Sequence, residues 1–383
     1  MASFQHHDLR LVTPSFESPL TNTIIDLDHL RRKQLTGQVP PELFFEIKNV
    51  FHLLESLGSA RIEGNNTTLS DYVESTITPS TSANENLLEI ANGEQALLFI
   101  DEQMHVDSPV TEALVMELHK LTVQGLKREG DKTPGVYRKG EVKIAGSGHK
   151  PPEAVQVRDY MMTLISFINR EDDSKYDLLK VALAHHRFAW IHPFNNGNGR
   201  VVRLLTYAML IKFGFRVDTG HILNPTAVFC ANRERYYEML ATADRGDDAS
   251  LLSWCEYVLN GLSVEIDKVD RLLDRGFLHK RILLPAIAYC LINKQITPED
   301  ASILGVAVDK GFFQSGDIKH KVTAKSATHR SRIIKRMINN NLIRPISPGA
   351  RKYTIRIMGG YLLRGVVHAL QTEGFVPVPE PDL

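Results

Sequence analysis

Apolar side chains recur at every third or fourth position through most of the first 275 residues, which is the spacing of amphipathic helices. The first of these helices is predicted to begin at residues 40–41, because proline is favoured in the first turn of a helix. The same spacing predicts helices over 84–104, 110–123, 157–168, 178–190, 233–240 and 250–273. A further helix is predicted to follow Gly199 and to continue through residue 211. Residues 1–40 are polar and carry three prolines, so we expect a largely irregular arm there.

The helical spacing is interrupted at residues 133–152. Segments 133–138 and 142–146 contain strand-forming residues bounded by glycine and proline, which predicts a short β-hairpin.

The C-terminal part combines helical and strand-like patterns. Thr297 followed by proline and two acids is typical of a helix start. The segments that follow predict a short helix around 314–322, a helix over 326–340, and strands over 342–346 and 351–355. Helices followed by a basic hairpin resemble a winged helix-turn-helix. The chain is therefore predicted to be mainly α-helical, with an arm (1–40), a helical core (41–275) and a winged helix-turn-helix domain (279–372).

The composition is that of an ordinary soluble protein, because 43% of the 383 residues are apolar and 23% are charged. No apolar run reaches the length of a membrane span, and the first residues do not form the apolar segment of a secretory signal. The three cysteines are far apart and lack metal-binding spacing, which favours reduced thiols. These features predict a cytoplasmic protein without a membrane partner.

The balanced net charge conceals an asymmetry. Residues 279–364 contain sixteen Lys and Arg against four Asp and Glu, a net charge of about +12, so the remainder carries about −12. A basic module on an acidic body favours either a polyanionic partner for the C-terminal part or packing of its basic face on the body.

The segment between residues 192 and 203 has the composition of a polyphosphate site. Gly197 and Gly199 let the backbone approach phosphate oxygens, and their N–H groups, with that of Asn198, can form an anion-binding concavity. Arg200 and Arg203 lie on one face of the helix that follows, where they can add charge-assisted hydrogen bonds. A phosphate at the start of that helix would also interact with its dipole.

A histidine directly precedes this concavity. The imidazole of His192 can accept a proton from an incoming hydroxyl group near neutral pH.

These residues resemble the motif of the Fic family, His-Pro-Phe-x-(Asp/Glu)-Gly-Asn-Gly-Arg-x-x-Arg. The resemblance implies a Fic-type helical core and the transfer of AMP from ATP to a hydroxyl group of a protein, with His192 as the general base. Asn195 is grouped with the phosphate-binding residues. The target is another protein or the chain itself.

One position departs from the family pattern. The family has an acidic residue that binds Mg²⁺ where this chain has Asn196. An amide oxygen can bind Mg²⁺ or Mn²⁺, but it lacks the negative charge of a carboxylate. The resemblance therefore implies a weakened metal ligand at Asn196.

An upstream segment resembles the inhibitory motif of Fic proteins whose inhibitory helix precedes the core. It comprises Ser59, Glu63 and Gly64, and the resemblance implies that Glu63 pairs with Arg203 and displaces the γ-phosphate of ATP. The alternative is an ordinary glutamate near a helix end, followed by a glycine stop. The resemblance also implies a second use for this glutamate, which would position a water molecule that removes AMP from a modified target.

The resemblance also assigns a role to the predicted hairpin. In the family a flap beside the active site pairs with the backbone of the target segment. The corresponding residues here are Val142, Lys143, Ile144, Ala145 and Gly146. A plain surface hairpin is the alternative.

Two tyrosines on a later helix resemble the nucleoside pocket of the family. Tyr236 and Tyr237, with Asn232, would cover adenine, although two core aromatics are the alternative. His185 and His186 precede the motif, and they do not form a zinc triad with His192.

The function predicted from these features is that of a protein adenylyltransferase inhibited by Glu63. The alternatives are a DNA-binding regulator with a nucleotide-sensing Fic module and a Fic enzyme acting mainly in AMP removal. The C-terminal module would contact DNA through four basic residues, or it would serve dimerisation or target recruitment, which leaves a homodimer open. The four residues are Arg332, Lys335, Arg351 and Lys352.

Overall fold

The computed structural model describes residues 4–33, 39–78, 84–144, 147–217, 221–322 and 326–376, and over these residues the chain is mainly helical. The helices of the first 270 residues are α1 (Pro19–Arg32), α2 (Pro41–Ile62), α3 (Leu69–Ile77), α4 (Glu85–Gln103), α5 (Glu112–Val123), α6 (Val157–Asn169), α7 (Asp177–Ile191), α8 (Asn198–Lys212), α9 (Thr226–Cys230), α10 (Arg233–Ala243) and α11 (Asp248–Asp270). The later elements are α12 (Arg275–Phe277), which continues as a π-helical turn over Leu278–Leu283, α13 (Leu284–Ile292), α14 (Pro298–Lys310), α15 (Ala327–Asn339), β1 (Ile343–Pro345), β2 (Tyr353–Ile355) and α16 (Leu362–Thr372).

The predicted helices of the core are confirmed by α2, α4–α8, α10 and α11. The chain forms two units, and the first comprises Met1–Gln34, Glu55–Asn66 and Asn84–Asp267. At its centre α7 packs on α8, with α5 and α6 beside them. Nearly every side chain of α7 and α8 is buried, as expected for helices that are enclosed on all sides. The 192–203 motif therefore spans the junction of two enclosed helices, and its residues from Asn198 onward belong to α8.

The prediction of a largely irregular arm over 1–40 is wrong for part of that segment. Helix α1 begins directly after Ser18, whose side chain accepts a hydrogen bond from the Leu20 N–H, with Pro19 in the first turn. Leu20, Leu27 and Leu30 are buried on one face. Pro19 starts a helix because it directly follows a capping residue.

The predicted β-hairpin over 133–146 is also not observed in the described part of that segment. Residues 133–144 and 147–152 form turns and irregular chain, while Ala145 and Gly146 lie outside the described residues. The Arg138 side chain explains the difference, because its guanidinium donates to the carbonyls of Gly140, Pro152 and His192. Its backbone N–H donates to the Pro193 carbonyl. Side-chain bonds thus take the place of a strand ladder.

The second unit comprises Leu35–Leu54, Thr67–Ala83 and Lys268–Leu383. In it β1 pairs antiparallel with β2, with Arg344 opposite Thr354, and Phe313 forms a bridge to Tyr353. The predicted strands and the helix over 326–340 are confirmed. Helix α14 begins with a capping box between Thr297 and Asp300.

The short helix predicted around 314–322 is not present. These residues form consecutive turns with hydrogen bonds from residue i+3 to residue i. The carboxylate of Asp317 binds the Gln314 N–H and so stabilises a turn instead of a continuing helix.

In the part of the chain that the structure describes, no helix is long and apolar enough to cross a bilayer.

Candidate active site

His192 lies at the point where α7 ends. Its backbone has φ 51° in the left-handed region, and its N–H donates to the Phe188 carbonyl, which closes the helix. The ring Nδ1 lies 3.4 Å from the Ala189 carbonyl. A proton on Nδ1 would satisfy that oxygen and leave Nε2 as a proton acceptor. Burial lowers the pKa of His192 to about 4, so the neutral base predominates at pH 7.

Phe194 and Asn198 hold the loop after His192 in place. Phe194 is fully buried and stacks on the imidazole of His119, with the ring centroids 3.7 Å apart. The Asn198 amide accepts from the Phe194 N–H and donates to the Phe194 carbonyl, both at 2.9 Å. The Asn198 side chain therefore closes the loop, and only its backbone N–H faces the predicted phosphate site.

The predicted phosphate concavity coincides with the start of α8. Gly197 precedes the helix with φ 78°, a conformation that disfavours other residues. Its N–H donates to the Asn196 side-chain oxygen at 2.7 Å, whereas Asn198 and Gly199 occupy the first helical turn, where N–H groups lack helical acceptors. Asn195 is exposed, and its amide lies 3.3 Å from the Asp131 carboxylate.

The side chain of Glu63 covers this concavity. Arg203 is only 1% exposed, and it donates to the Glu63 carboxylate at 2.7 Å and to the Ser59 hydroxyl at 2.9 Å. A Cβ atom on Gly199 would overlap the Glu63 carboxylate, so Glu63 lies directly against the first turn of α8. Ser59, Glu63 and Arg203 thus come together as the resemblance implies.

The charge of Glu63 is maintained by the arginines. Burial opposes its ionisation, but the guanidinium of Arg203, and next that of Arg200, outweighs burial and holds the pKa of Glu63 below its usual value. Glu63 is therefore ionised where it contacts Arg203.

Arg200 has a separate set of partners. Its guanidinium lies 2.9 Å from the carboxylate of Glu89 on α4, and it donates to the Glu129 carbonyl at 2.7 Å. It is buried beside Gly197. The structure therefore places Arg200 beneath the concavity, whereas Arg203 is held beside its opening by Ser59 and Glu63.

The two predicted adenine-binding tyrosines differ in position. Tyr236 is 2% exposed, and its hydroxyl is bonded to His185, so it offers no free face to a base in this conformation. Tyr237 is 42% exposed and donates to the Ile62 carbonyl, next to Glu63. Asn232 caps α10. Only Tyr237 is available at the surface, and Tyr236 has the core position that the sequence left as an alternative.

The remaining predicted residues belong to the predicted flap and to the second unit. Val142 and Ile144 are partly buried and Lys143 is exposed, in irregular chain. Arg332, Lys335 and Arg351 are exposed in the second unit, and Lys352 lies over the Phe312 ring.

The described residues do not form a metal site of their own, because no group of three or more His, Cys, Asp or Glu has suitable geometry. The Asn196 oxygen already accepts the Gly197 N–H. A cation at this place would depend on phosphates, water and at most one amide oxygen, which fits Mg²⁺ poorly.

Residues 109–210 match the Fic/DOC family. The match includes α5–α8 and therefore contains His192 and both arginines. "Protein adenylyltransferase Fic" of Drosophila virilis is 28% identical over 201 residues, which cover 51% of this chain and 38% of that protein. The chain thus spans well under half the length of the curated relatives it matches.

Solved structures show the same fold. A Fic family protein from Desulfovibrio desulfuricans G20 has a TM-score of 0.57 at 20% identity, covering 91% of this chain and 98% of that one. A Fic domain containing signaling protein from Bacteroides thetaiotaomicron has a TM-score of 0.54 at 20% identity, covering 66% and 98%. At this identity the likeness concerns the fold alone.

Several residues that contact the 192–203 motif were not predicted from the sequence. His119 supports the motif loop, because Nδ1 accepts the Gly135 N–H and Nε2 lies 3.2 Å from the Asn196 carbonyl. Arg138 fixes the chain on the other side of His192. Glu89 binds Arg200. No local pattern marks these residues, since each contacts the motif from a distant part of the sequence.

The lowered pKa of His192 predicts an imidazole that stays neutral through the physiological range. We expect its Cε1–H resonance, assigned by difference from His192→Ala, to show no titration between pH 5.5 and 8. A His192 midpoint near 6.5 would contradict the burial that the structure gives this ring.

Proposed function

We propose that this chain transfers AMP from ATP to a hydroxyl group of a protein and that Glu63 inhibits the transfer. The observation that carries the proposal is the juxtaposition of a neutral His192 with the start of α8, where Glu63 pairs with Arg203. The names of the curated relatives support the same chemistry.

The residues divide the reaction between them. The Nε2 atom of His192 accepts the proton of the target hydroxyl as its oxygen attacks the α-phosphorus. The bond from that phosphorus to the bridging oxygen breaks, and pyrophosphate leaves. The N–H groups of Asn198 and Gly199 and the guanidinium of Arg203 stabilise the charge on the phosphates.

The inhibition follows from competition between anions. The Glu63 carboxylate accepts a hydrogen bond from Arg203 and fills the space beside Gly199. A phosphate group that binds the same guanidinium must therefore displace the Glu63 side chain. Both the carboxylate and the phosphate are hydrogen-bond acceptors for the same donors. The triphosphate therefore binds productively only when Glu63 has moved.

When bound, Mg²⁺ or Mn²⁺ would neutralise phosphate charge. Asn196 is the residue of this chain placed to contribute an oxygen, and it does so without charge.

Removing the Glu63 side chain should increase the transfer rate. We expect Glu63→Gly to label itself or a target from labelled ATP at least about tenfold faster than wild type, equivalent to ~1.4 kcal/mol, because Arg203 becomes free for the phosphates.

The control for this assay is the double variant Glu63→Gly/His192→Ala. Loss of the general base should lower the rate by about 10²–10⁴-fold while ATP binding persists. Equal labelling by wild type and Glu63→Gly would sink the inhibitory role, and transfer retained by the double variant would refute His192 as the base.

The departure at Asn196 predicts a gain of function. In the Glu63→Gly background, Asn196→Asp should reduce several-fold the Mg²⁺ concentration that gives half-maximal transfer, because it supplies a charged oxygen ligand. Mn²⁺ binding in the presence of ATP, followed by its paramagnetic resonance, is an independent readout. Asn195→Asp adds the same charge at the neighbouring position, and an equal effect there would rule out a specific ligand.

A second candidate function concerns the second unit. Arg332 and Lys335 are exposed on α15, and the β1–β2 hairpin follows directly, an order that fits a winged helix-turn-helix. Such a module would bind duplex DNA through its phosphates.

Neutralising these residues should weaken DNA binding. We expect Arg332→Ala/Lys335→Ala to reduce affinity for duplex DNA and to lower the salt dependence by about two charges. Lys280→Ala/Arg281→Ala removes the same charge from another exposed part of this unit. An equal loss in both double variants, or no binding by wild type at low salt, would exclude a DNA-contacting α15.

A further inference from the structure

A second carboxylate binds the other arginine of the motif. Glu89 and Arg200 are ion-paired at 2.9 Å, and their side chains are 2% and 5% exposed. Burial raises the pKa of Glu89, while Arg200 and the Asn65 amide oppose that shift. The pair is enclosed and only weakly screened by solvent.

The position of Arg200 makes its charge relevant to phosphate binding. Its Nη2 atom would lie 3.7 Å from a Cβ on Gly197, directly under the start of α8. A buried charge acts through space over such distances without a direct contact, because little water separates it from the site. Neutralising Arg200 therefore lowers the positive potential where phosphates would bind.

Both arginines of the motif are balanced by acids in this structure. Glu63 pairs with Arg203, and Glu89 pairs with Arg200. If Glu63 moves away, only Arg203 gains an unbalanced charge, because the partner of Arg200 belongs to a different helix. The Glu129 carboxylate is 4.0 Å from Arg200 and 25% exposed, so its influence is weaker.

The Glu89 carboxylate is also connected to the inhibitory segment. Asn65 follows Glu63 by two residues, and its amide donates to the Glu89 carboxylate at 2.8 Å and to the Asn86 carbonyl at 2.9 Å. This amide fixes the orientation of Glu89 and ties the chain after Glu63 to α4.

We propose that Glu89 is a positioning residue that acts through Arg200: it neutralises the guanidinium beneath the phosphate site and limits triphosphate affinity even after Glu63 is released. This inference rests on the proposed function, since it takes the start of α8 as the triphosphate site. It differs from the Glu63 interaction because Glu89 does not occupy the site itself.

The experiment measures ATP binding by calorimetry on the full chain, without metal, in the Glu63→Gly background. Glu89→Gln removes the charge and keeps the shape of the side chain and an oxygen for Asn65. We expect ATP to bind at least about fivefold more tightly. Glu102→Gln, an exposed glutamate on the same helix, should leave the affinity unchanged.

Two comparisons separate an electrostatic role from a structural one. Adenosine carries no phosphate, so its affinity should not change. In the Arg200→Gln background the Glu89→Gln effect should vanish, because a buried Glu89 without its partner is expected to be protonated.

The contrary results are distinct. Unchanged or weaker ATP binding by folded Glu89→Gln, or an equal gain for adenosine, would overturn the inference. If that variant does not fold, Glu89→Asp tests the same point, since a shorter carboxylate should retreat from Arg200 and produce a smaller gain; no gain refutes the role. Failure of Glu63→Gly itself to bind ATP, both without metal and with Mg²⁺, would refute the proposed function, and this inference would fall with it.

Discussion

The buried charge of Arg203 is the constraint on which the arrangement of this site depends. A guanidinium that is 1% exposed must have acceptors, and breaking a buried ion pair by removing one partner typically costs about 3–5 kcal/mol. Glu63 and Ser59 supply those acceptors in this structure. A triphosphate offers the same chemistry. Arg203 must therefore be paired with an anion, and on the proposed function that anion is either the Glu63 carboxylate or a phosphate of ATP.

The surrounding structure keeps that competition local. Helices α7 and α8 are enclosed, Phe194 is stacked on His119, and Arg138 bonds to carbonyls on both sides of His192. None of these contacts involves the Glu63 side chain. On the proposed function, the loop that would bind phosphates is already in place while Glu63 is paired with Arg203, so little rearrangement of His192 is needed when a phosphate takes the place of Glu63.

Sequence reasoning succeeded where the determinants are close together in the chain. The 192–203 segment places a base, glycines and arginines at fixed spacing, and the helices that flank it follow from apolar periodicity. It failed where one side chain from a distant segment decides local structure. The Arg138 guanidinium, not a strand partner, organises the chain around 133–152. Glu89 and His119 lie more than 70 residues before the motif, and only folding brings them to it.

The early segment shows a different kind of error. Its prolines suggested irregular chain, yet Pro19 follows the capping Ser18 and begins a helix with a buried leucine face. Position relative to the cap, and not the presence of proline, decided the outcome. The prediction that Tyr236 and Tyr237 share one adenine pocket overlooked that neighbouring residues of a helix point in different directions, so that only Tyr237 of the two lies at the surface.

Glu63 lies just beyond the last residue of α2, in a turn that Gly64 completes with φ 97°, and its side chain is 28% exposed. The Asn65 amide ties the chain after Glu63 to α4, so the backbone of this turn is held while the partly exposed carboxylate can leave Arg203 by rotation of its own side chain. On the proposed mechanism the unmodified chain therefore retains a low residual activity, and that activity measures how often the Glu63 side chain turns away from Arg203.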